Sequence, residues 1–580
     1  LKKALLVLVG LFMVGCVLQA QDVLPPYDDF SPTPSGSFTL TMGAEPVEVL
    51  PNNTEGTWES CIGGLLFDGL TNGDNQMKPI PGLAESYEYD EETLTWTFNL
   101  RKGVKFHDGT EMTADDVVFS YKCVMHPDYP SVRFSNYASV VGAEEYRNGE
   151  ITDFSQVAIT AVNPYTVEIQ LKEVDATFIS YGATGVIPKN VYEPVYEEKG
   201  YGVQRGITRD LGYCYGTGPY KFEEWKVGQY IKLVANEDYW NPRGNPVAKD
   251  GNPVTGGIKD LYWVFIEDAD ARYAALKAGD LDIIATTVDQ HFELVDDSDY
   301  LALRSPYLVY DYLCLNLDPE KTPLFQEISV RQAIGYAIDR ETMAEQVLRG
   351  LGTLCNGPTH PLRWDYTAEV DALHPSYDPE RSMQLMEAGG WTIEKDSGGN
   401  IWPGAVWHKE DPVYGLLEMR FEIATNYGNV RRADILQVLQ QQLAAAGFEV
   451  SLRVLEVNAF YDNYLQADRE FDTAVAGWRM GSDPQSKSLW NCDQVGGFNW
   501  TAYCNPQVDE WQAQASQVVT IEERKPLYEQ IAIQLVRDLP YIWLNYIDST
   551  VGTKPGLDYF YPCHPQGWYI NAWQWEYSPQ

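Results

Sequence analysis

The sequence predicts an α/β protein of two lobes joined by two crossing segments, and three observations carry that prediction. Between 417 and 455, Leu417, Met419, Phe421 and Ile423 alternate as a strand, and Ile435, Val438, Leu439 and Leu443 form the inner face of a helix that Gly447 ends. Phe448, Val450, Leu452 and Val454 then alternate again. A strand–helix–strand connection within one sheet is parallel and nearly always right-handed. The length, 580 residues, exceeds what one ordinary core holds and implies two or three domains. Finally, the aromatic-rich run Leu303 to Leu317 and the run Tyr541 to Ile547 read as strands that leave and re-enter the first lobe. Two crossings make a two-stranded hinge, about which lobes can close without unfolding.

The elements follow in order. Lys2 and Lys3 precede the apolar run Ala4 to Val14, about half the length that a membrane span needs, so residues 1–20 read as a signal peptide. Two cleavage readings compete. Met13-Val14-Gly15-Cys16 reads as a lipobox that leaves Cys16 as a lipid-modified N-terminus, and Leu18-Gln19-Ala20 offers ordinary cleavage. The proline- and serine-rich stretch within 21–37 reads as a tether and favours the first. Both readings export the protein to the periplasm or the outer face of the cell membrane, with membrane contact only through the lipid. Phe38 to Met42 then alternates as a strand, and Ile62, Leu65, Leu66 and Leu70 mark a helix.

Leu94 to Tyr121 is the most legible stretch. Leu94, Trp96, Phe98 and Leu100 alternate, Lys102-Gly103 turns the chain, and Val104 and Phe106 alternate again as the second strand of a hairpin. Asp108-Gly109 supplies a second turn, so His107 and Asp108 are read as turn chemistry. Thr113 with Asp116 caps a helix carrying Val117, Val118 and Tyr121. Val157 to Val162 and Thr166 to Leu171 add two strands. Downstream, Gly279 ends a helix over Ala269 to Lys277, Ser329 caps the helix over 330–338, and Thr520 with Glu523 caps a last large helix that Pro540 stops.

Leu100-Arg101-Lys102-Gly103, then Val104 to Thr110 and the capped helix, resemble the signature of the family 5 extracellular solute-binding proteins, the receptors of peptide, nickel and related ABC importers. Gly216 to Phe222, Leu276 to Asp282 and Val330 to Arg340 resemble further motifs of that family. The resemblance implies a two-lobed periplasmic-binding-protein fold of type II, cluster C-like, with an extra inserted α+β domain. The expected division is 38–54, 206–305 and 545–580 for lobe I, 55–205 for the inserted subdomain and 306–544 for lobe II. It also implies a monomer that catalyses nothing, needs no cofactor and delivers its solute to ABC permease subunits. Cys492 and Cys504 enclose a short loop where dipeptide-binding members place a bridged one; the pairing of the other cysteines stays open.

The ligand is expected at Phe471 to Asn491. Peptide-binding members have an aspartate three residues after the glycine-tryptophan pair, where its carboxylate receives the peptide's ammonium. Here that position, three after Trp478, is Gly481, and the nearest acid is Asp483 beside Pro484. Asp483 is read as a turn residue that a locally shifted loop could turn into the clamp. Arg479 offers a fork for a carboxylate or a sugar hydroxyl. Trp58, Trp478, Trp490 and Trp500 are candidate ligand aromatics, and Tyr310 and Asn316 are candidates at the hinge. The expected ligand is an oligopeptide, with an oligosaccharide as the alternative and a nickel chelate third.

Composition narrows the rest. A net charge of −41 repels nucleic acid and anionic lipid, so neither is a partner. Seven histidines without metal spacing and no Cys-x-x-Cys give no metal site. No nucleophile elbow, H-E-x-x-H or Walker loop stands in the chain. Gly216-Thr217-Gly218-Pro219 is no phosphate loop, because Pro219 lacks a donor and a strand follows. A secreted polysaccharide-active enzyme is the alternative from a different class.

Overall fold

Two long strands, Leu301–Leu315 and Tyr541–Thr553, run antiparallel and form the spine of the protein. At one end, 301–306 pairs with 548–553, and the short strand Ile283–Ala285 adds to the outside of 551–553. After an irregularity between Pro306 and Tyr310, the same strands pair again over 310–314 and 541–546. There the neighbours change: Thr473–Arg479 lies along 309–315, and Arg420–Asn426 and Glu449–Leu455 extend the sheet beyond it. Both predicted crossings are therefore present, side by side. The computed structural model describes residues 36–51, 57–74, 76–129, 131, 133–181, 185–204, 206–240, 258–457, 459–481, 483–558 and 576–577. The signal peptide with Cys16, nearly all of the tether and Cys563 lie outside the described residues.

Two four-stranded sheets lie outside the spine sheet, and the first of them shares a core with Ile283 and Val551. In the first, Ser37–Met42 runs parallel to Asp260–Phe265, with Tyr230–Ala235 and Tyr220–Lys226 completing four strands. The other is antiparallel, in the order Ala84–Asp90, Thr95–Leu100, Thr166–Gln170, Ile159–Asn163. Phe98, Val167 and Ile169 are fully buried in its core.

Thr95–Leu100 has the expected alternation, but its partners are 84–90 and 166–170, so it makes no hairpin with 104–106. That segment closes on itself instead: Phe106 N–H donates to Thr110 O at 2.8 Å and Met112 N–H to Val104 O at 2.8 Å. Thr113 caps the helix Ala114–Met125 through a reciprocal box with Asp116. His107 is buried, and Gly216 N–H donates to its Nδ1 at 3.1 Å while its Nε2 lies 3.0 Å from Gly218 O. The turn histidine thus pins the 216–218 loop. Burial first of all pushes its pKa down to about 4, so it is neutral near pH 7. A side chain on Gly216 or Gly218 would meet the carbonyls of Leu66 and Leu65 at 2.0 and 2.5 Å, so these glycines allow two backbones to touch.

The strand–helix–strand unit stands as expected in kind. Arg420–Asn426 and Glu449–Leu455 are parallel and joined by the helix Val430–Ala445, and Gly447 after the helix has φ 85°. Leu417 belongs instead to Gly415–Glu418, which pairs with His408–Asp411 as a separate hairpin. The helix Ile328–Ala337 begins after Glu327, which gives it no side-chain cap, so the expected cap Ser329 lies inside the helix. Thr520 caps Ile521–Asp538, accepting from Glu523 N–H, and Gly279 ends Ala269–Ala278 in the left-handed region.

Candidate functional site

Where the hinge strands enter the larger sheet, a cavity of about 250 Å³ opens at the carboxyl end of Thr473–Arg479. Ligand crevices in α/β sheets lie outside the carboxyl ends of strands. Tyr310, Trp478, Arg479, Asp483 and Trp490 all line it, so five of the candidates meet in one place. Tyr310 sits directly opposite Trp478 in the sheet register, which sets the two rings on one face.

The aromatic wall is built in layers. Trp478 stacks on Trp500 with ring centroids 5.0 Å apart and meets Phe498 edge-on at 5.7 Å. Its indole N–H donates to Tyr541 Oη at 3.3 Å. Trp500 is buried behind this pair and is not part of the lining. Both partners come from the loop closed by the disulfide Cys492–Cys504, whose Cα atoms are 4.5 Å apart. Asn499 locks that loop, donating to Asn491 O at 3.0 Å and to Tyr503 O at 2.7 Å. Phe498 is thereby held half-exposed on the cavity rim.

The charged groups of the wall come in pairs. Arg524 donates to both oxygens of Asp483, at 2.7 and 2.8 Å, and also to Tyr528 Oη at 3.0 Å. The side chains are 3% and 1% exposed, a buried bidentate pair. Burial opposes the charge on Arg524, but the hydrogen bond and charge of Asp483 outweigh it and raise the guanidinium pKa. Asp483 therefore does not present an uncommitted carboxylate, which corrects its reading as a potential amine clamp; a ligand ammonium would have to displace Arg524. Asp483 does keep its turn role, accepting from Gln485 N–H at 2.9 Å. On the facing wall Arg363 pairs with Asp365 at 2.8 Å and also donates to Gly481 O. Arg479 lies at the exposed rim, its guanidinium 5.6 Å from the Tyr307 ring centre.

Asn316 is fully buried and does not reach the cavity. Its amide donates to Phe471 O at 2.8 Å and Arg469 O at 3.1 Å, so it fastens the end of one strand to the approach of the next. The helix Thr57–Leu66 contains Trp58, whose side chain lies outside what the structure describes.

On the opposite face of the strand from Tyr310, Asp311 is fully buried against two arginines. Arg431 donates to it at 2.7 and 3.2 Å, and Arg432 at 3.0 Å. Burial alone would raise this carboxyl; the two guanidinium charges outweigh it and hold the pKa below the ordinary range. Gly477 stands opposite Asp311, and a Cβ there would lie 2.4 Å from an Arg432 nitrogen. The glycine before Trp478 thus makes room for the ion cluster that braces the site from behind.

Arg363, Asp365, Phe498, Arg524 and Tyr528 escaped the sequence reading. One signal was present for Arg524: it stands three and seven residues before Leu527 and Ile531, on the face of the helix that carries the apolar residues. An arginine there needs a buried acid. Arg363 and Asp365 lie in a segment without periodicity, where spacing does not report side-chain direction. Among the described residues, no group of three or more His, Cys, Asp or Glu side chains could hold a metal ion, and no helix is long and apolar enough to cross a membrane.

Residues 78–500 match the bacterial extracellular solute-binding proteins, family 5 Middle. The oligopeptide-binding protein AppA of Bacillus subtilis is 30% identical over 521 residues, covering 89% of this chain and 86% of that protein. Heme-binding protein A of Haemophilus influenzae is 28% identical over 476 residues, covering 80% and 78%. The solved structure of Bacillus subtilis AppA in complex with a nonapeptide superposes with a TM-score of 0.68 at 28% identity, covering 94% of this chain and 100% of that one. These relatives are binding proteins. With a two-strand spine, a cavity beside it and a match over more than two-thirds of its length, the chain belongs to the family 5 bacterial extracellular solute-binding proteins.

Proposed function

We propose that the protein is the substrate-binding component of an ABC importer and takes an oligopeptide into the cavity beside its hinge. The observation that carries this is the aromatic-walled cavity at the hinge-strand junction, in a chain 30% identical to an oligopeptide-binding protein. Tyr310, Trp478, Trp490 and Phe498 supply apolar contact, and the paired charges and Arg479 orient polar groups. The hinge strands let the lobes close over the solute. The protein then hands it to the permease, acting as a monomer at the outer face of the cell membrane or in the periplasm, anchored through Cys16 if the lipobox is used. The oligosaccharide alternative is not favoured, since the relatives carry other names.

Thermal unfolding against peptide and oligosaccharide libraries tests this reading. A ligand at a hundred times its Kd adds about 2.7 kcal/mol to the folded state. Peptides should raise the melting temperature and be recovered intact. Shifts with cello- or manno-oligosaccharides alone would replace the peptide reading, and accumulation of a product would end the receptor reading altogether.

A further inference from the structure

The guanidinium of Arg524 does more than neutralise Asp483. The nitrogen that holds one carboxylate oxygen also donates to the carbonyl of Ala176 at 3.3 Å, across 348 residues of sequence. Ala176 returns the contact, its N–H donating to Ser516 O at 3.4 Å. Val519 packs against the core built around the antiparallel sheet of 84–170, a different core from the one that holds Trp478, Tyr528 and Ile531. Here, then, the unit carrying residues 84–179 touches the unit carrying the cavity.

The contact combines two hydrogen bonds at Ala176 with the packing of Val519. Beside it lies an open space of about 370 Å³ lined by Gln76 and Lys78 from one side and by Arg363, Trp364, Ile521 and Lys525 from the other. Side chains tie the cavity loop into the same place. Asp483 holds Arg524, Gln512 donates to Ser486 Oγ at 2.8 Å, and Lys487 donates to Ser516 Oγ at 2.7 Å. A displacement of the 483–487 loop would therefore carry 516–524 with it.

We propose that Arg524 is a closing clasp: held in place by Asp483 on the cavity wall, it reaches over to the Ala176 carbonyl and couples the shape of the cavity loop to closure of the two units. Arg524 is a positioning residue that needs no contact with the solute. The fork geometry of arginine suits the task, because one guanidinium can keep both carboxylate oxygens while a remaining N–H takes a third acceptor. Opening costs the two long bonds at Ala176, which water replaces, and the packing of Val519, while the ion pair stays whole. The clasp therefore biases the open–closed equilibrium and leaves both states accessible.

The test uses the full chain without ligand, so it does not depend on which solute binds. Arg524→Lys keeps a charge for Asp483 but loses the fork that reaches two acceptors at once. The expected result is a rise of about five- to tenfold in the open-to-closed ratio, read by small-angle scattering as a larger radius of gyration. A scattering profile superimposable on that of the unsubstituted protein overturns the clasp, even if the melting temperature has fallen, because a merely structural arginine would lower stability without opening the chain. Should Arg524→Lys fail to fold, hydrogen exchange on the unsubstituted protein decides. The clasp requires the Ala176 amide, freed when the units part while the ion pair holds, to exchange faster than the core amides of the helix Ile521–Asp538; exchange of the Ala176 amide only as slowly as those core amides overturns it.

Discussion

Arg524 and Arg349 each join elements far apart in the chain, and each does so with an aspartate and an aromatic ring. Arg524 binds Asp483 at 2.7 Å with both side chains at most 3% exposed, between Trp364 and Tyr528. Arg349 follows the helix Arg340–Leu348 and reaches Asp289 at 3.2 Å, its guanidinium 4.0 Å over the Phe292 ring. These two side chains are 47% and 86% exposed. Residue types and geometry are similar, but the solvent is not. Water and salt screen the second pair and can replace either partner, whereas the first has no substitute for a lost partner. The chain thus has a buried, structurally binding charge pair at the cavity and a weak, solvated one against the far end of the spine strands.

The largest effect should come from breaking the buried pair. Asp483→Asn leaves Arg524 charged and without its carboxylate, and about 3–5 kcal/mol of unfolding free energy should disappear, measured by urea denaturation. Replacing both, Asp483→Leu with Arg524→Met, should recover most of that loss, because an apolar pair of similar volume needs no compensating charge. A loss below about 1 kcal/mol for Asp483→Asn would erase the distinction between the two bridges.

Asp311 asks whether burial alone sets the magnitude. It joins a sheet strand to the helix Val430–Ala445, which connects two strands of the same sheet, yet it is fully buried and faces two arginines. Asp311→Asn should cost about 2–3 kcal/mol by the same measurement, less than at Asp483 because Arg431 is partly solvated. Its carboxyl is held below the ordinary range, so the stability it contributes is present above the unfolded carboxyl pKa and is lost as the pH falls through the lower, folded value.

His107 extends the comparison to a group buried without charge. Its folded pKa of about 4 lies below the ordinary 6.5, so the unfolded chain binds the proton more readily between these values. Stability is then lost as the pH falls from about 6.5 toward 4, and lowering the pH from 7 to 5 should remove about 2 kcal/mol through this one residue. His107→Gln should flatten that part of the pH profile. An unchanged slope would mean that the ring is solvated and that the link from 107 to the 216–218 loop contributes little.

What the sequence made legible follows from period and cap. Thr113 with Asp116, Gly279, Gly447 and Thr520 act locally, and each ends or begins its helix as read. The aromatic runs at 303–317 and 541–547 identified the spine because a buried strand needs apolar residues on both faces. The hairpin at 104–106 failed because alternation says nothing about partners, and 84–90 and 166–170 flank the strand instead. At the site, the stretch from Trp478 to Trp490 could be located but its charges could not be assigned. Whether Asp483 meets a ligand or an arginine depends on a helix 41 residues later, a contact that no local pattern encodes. Asp311 was detectable in principle, since an acid within an otherwise apolar strand must be paired.

Asp289→Asn should be the smallest effect and the cleanest control. The carboxylate is mostly in water, so its removal trades one solvated contact for hydration and should change the unfolding free energy by less than about 1 kcal/mol. Raising the salt from 0.05 to 0.5 M should shrink even that difference, because the screening length falls to a few ångströms, whereas the cost of Asp483→Asn should persist at both concentrations. Arg349 itself stands at φ 51°, in the region that disfavours side chains, so Arg349→Gly should come out neutral or slightly stabilising despite losing both the aspartate and the Phe292 ring. A clear destabilisation by Arg349→Gly would show that the solvated bridge holds more than its exposure allows, and that solvent access is not what separates the two arginines.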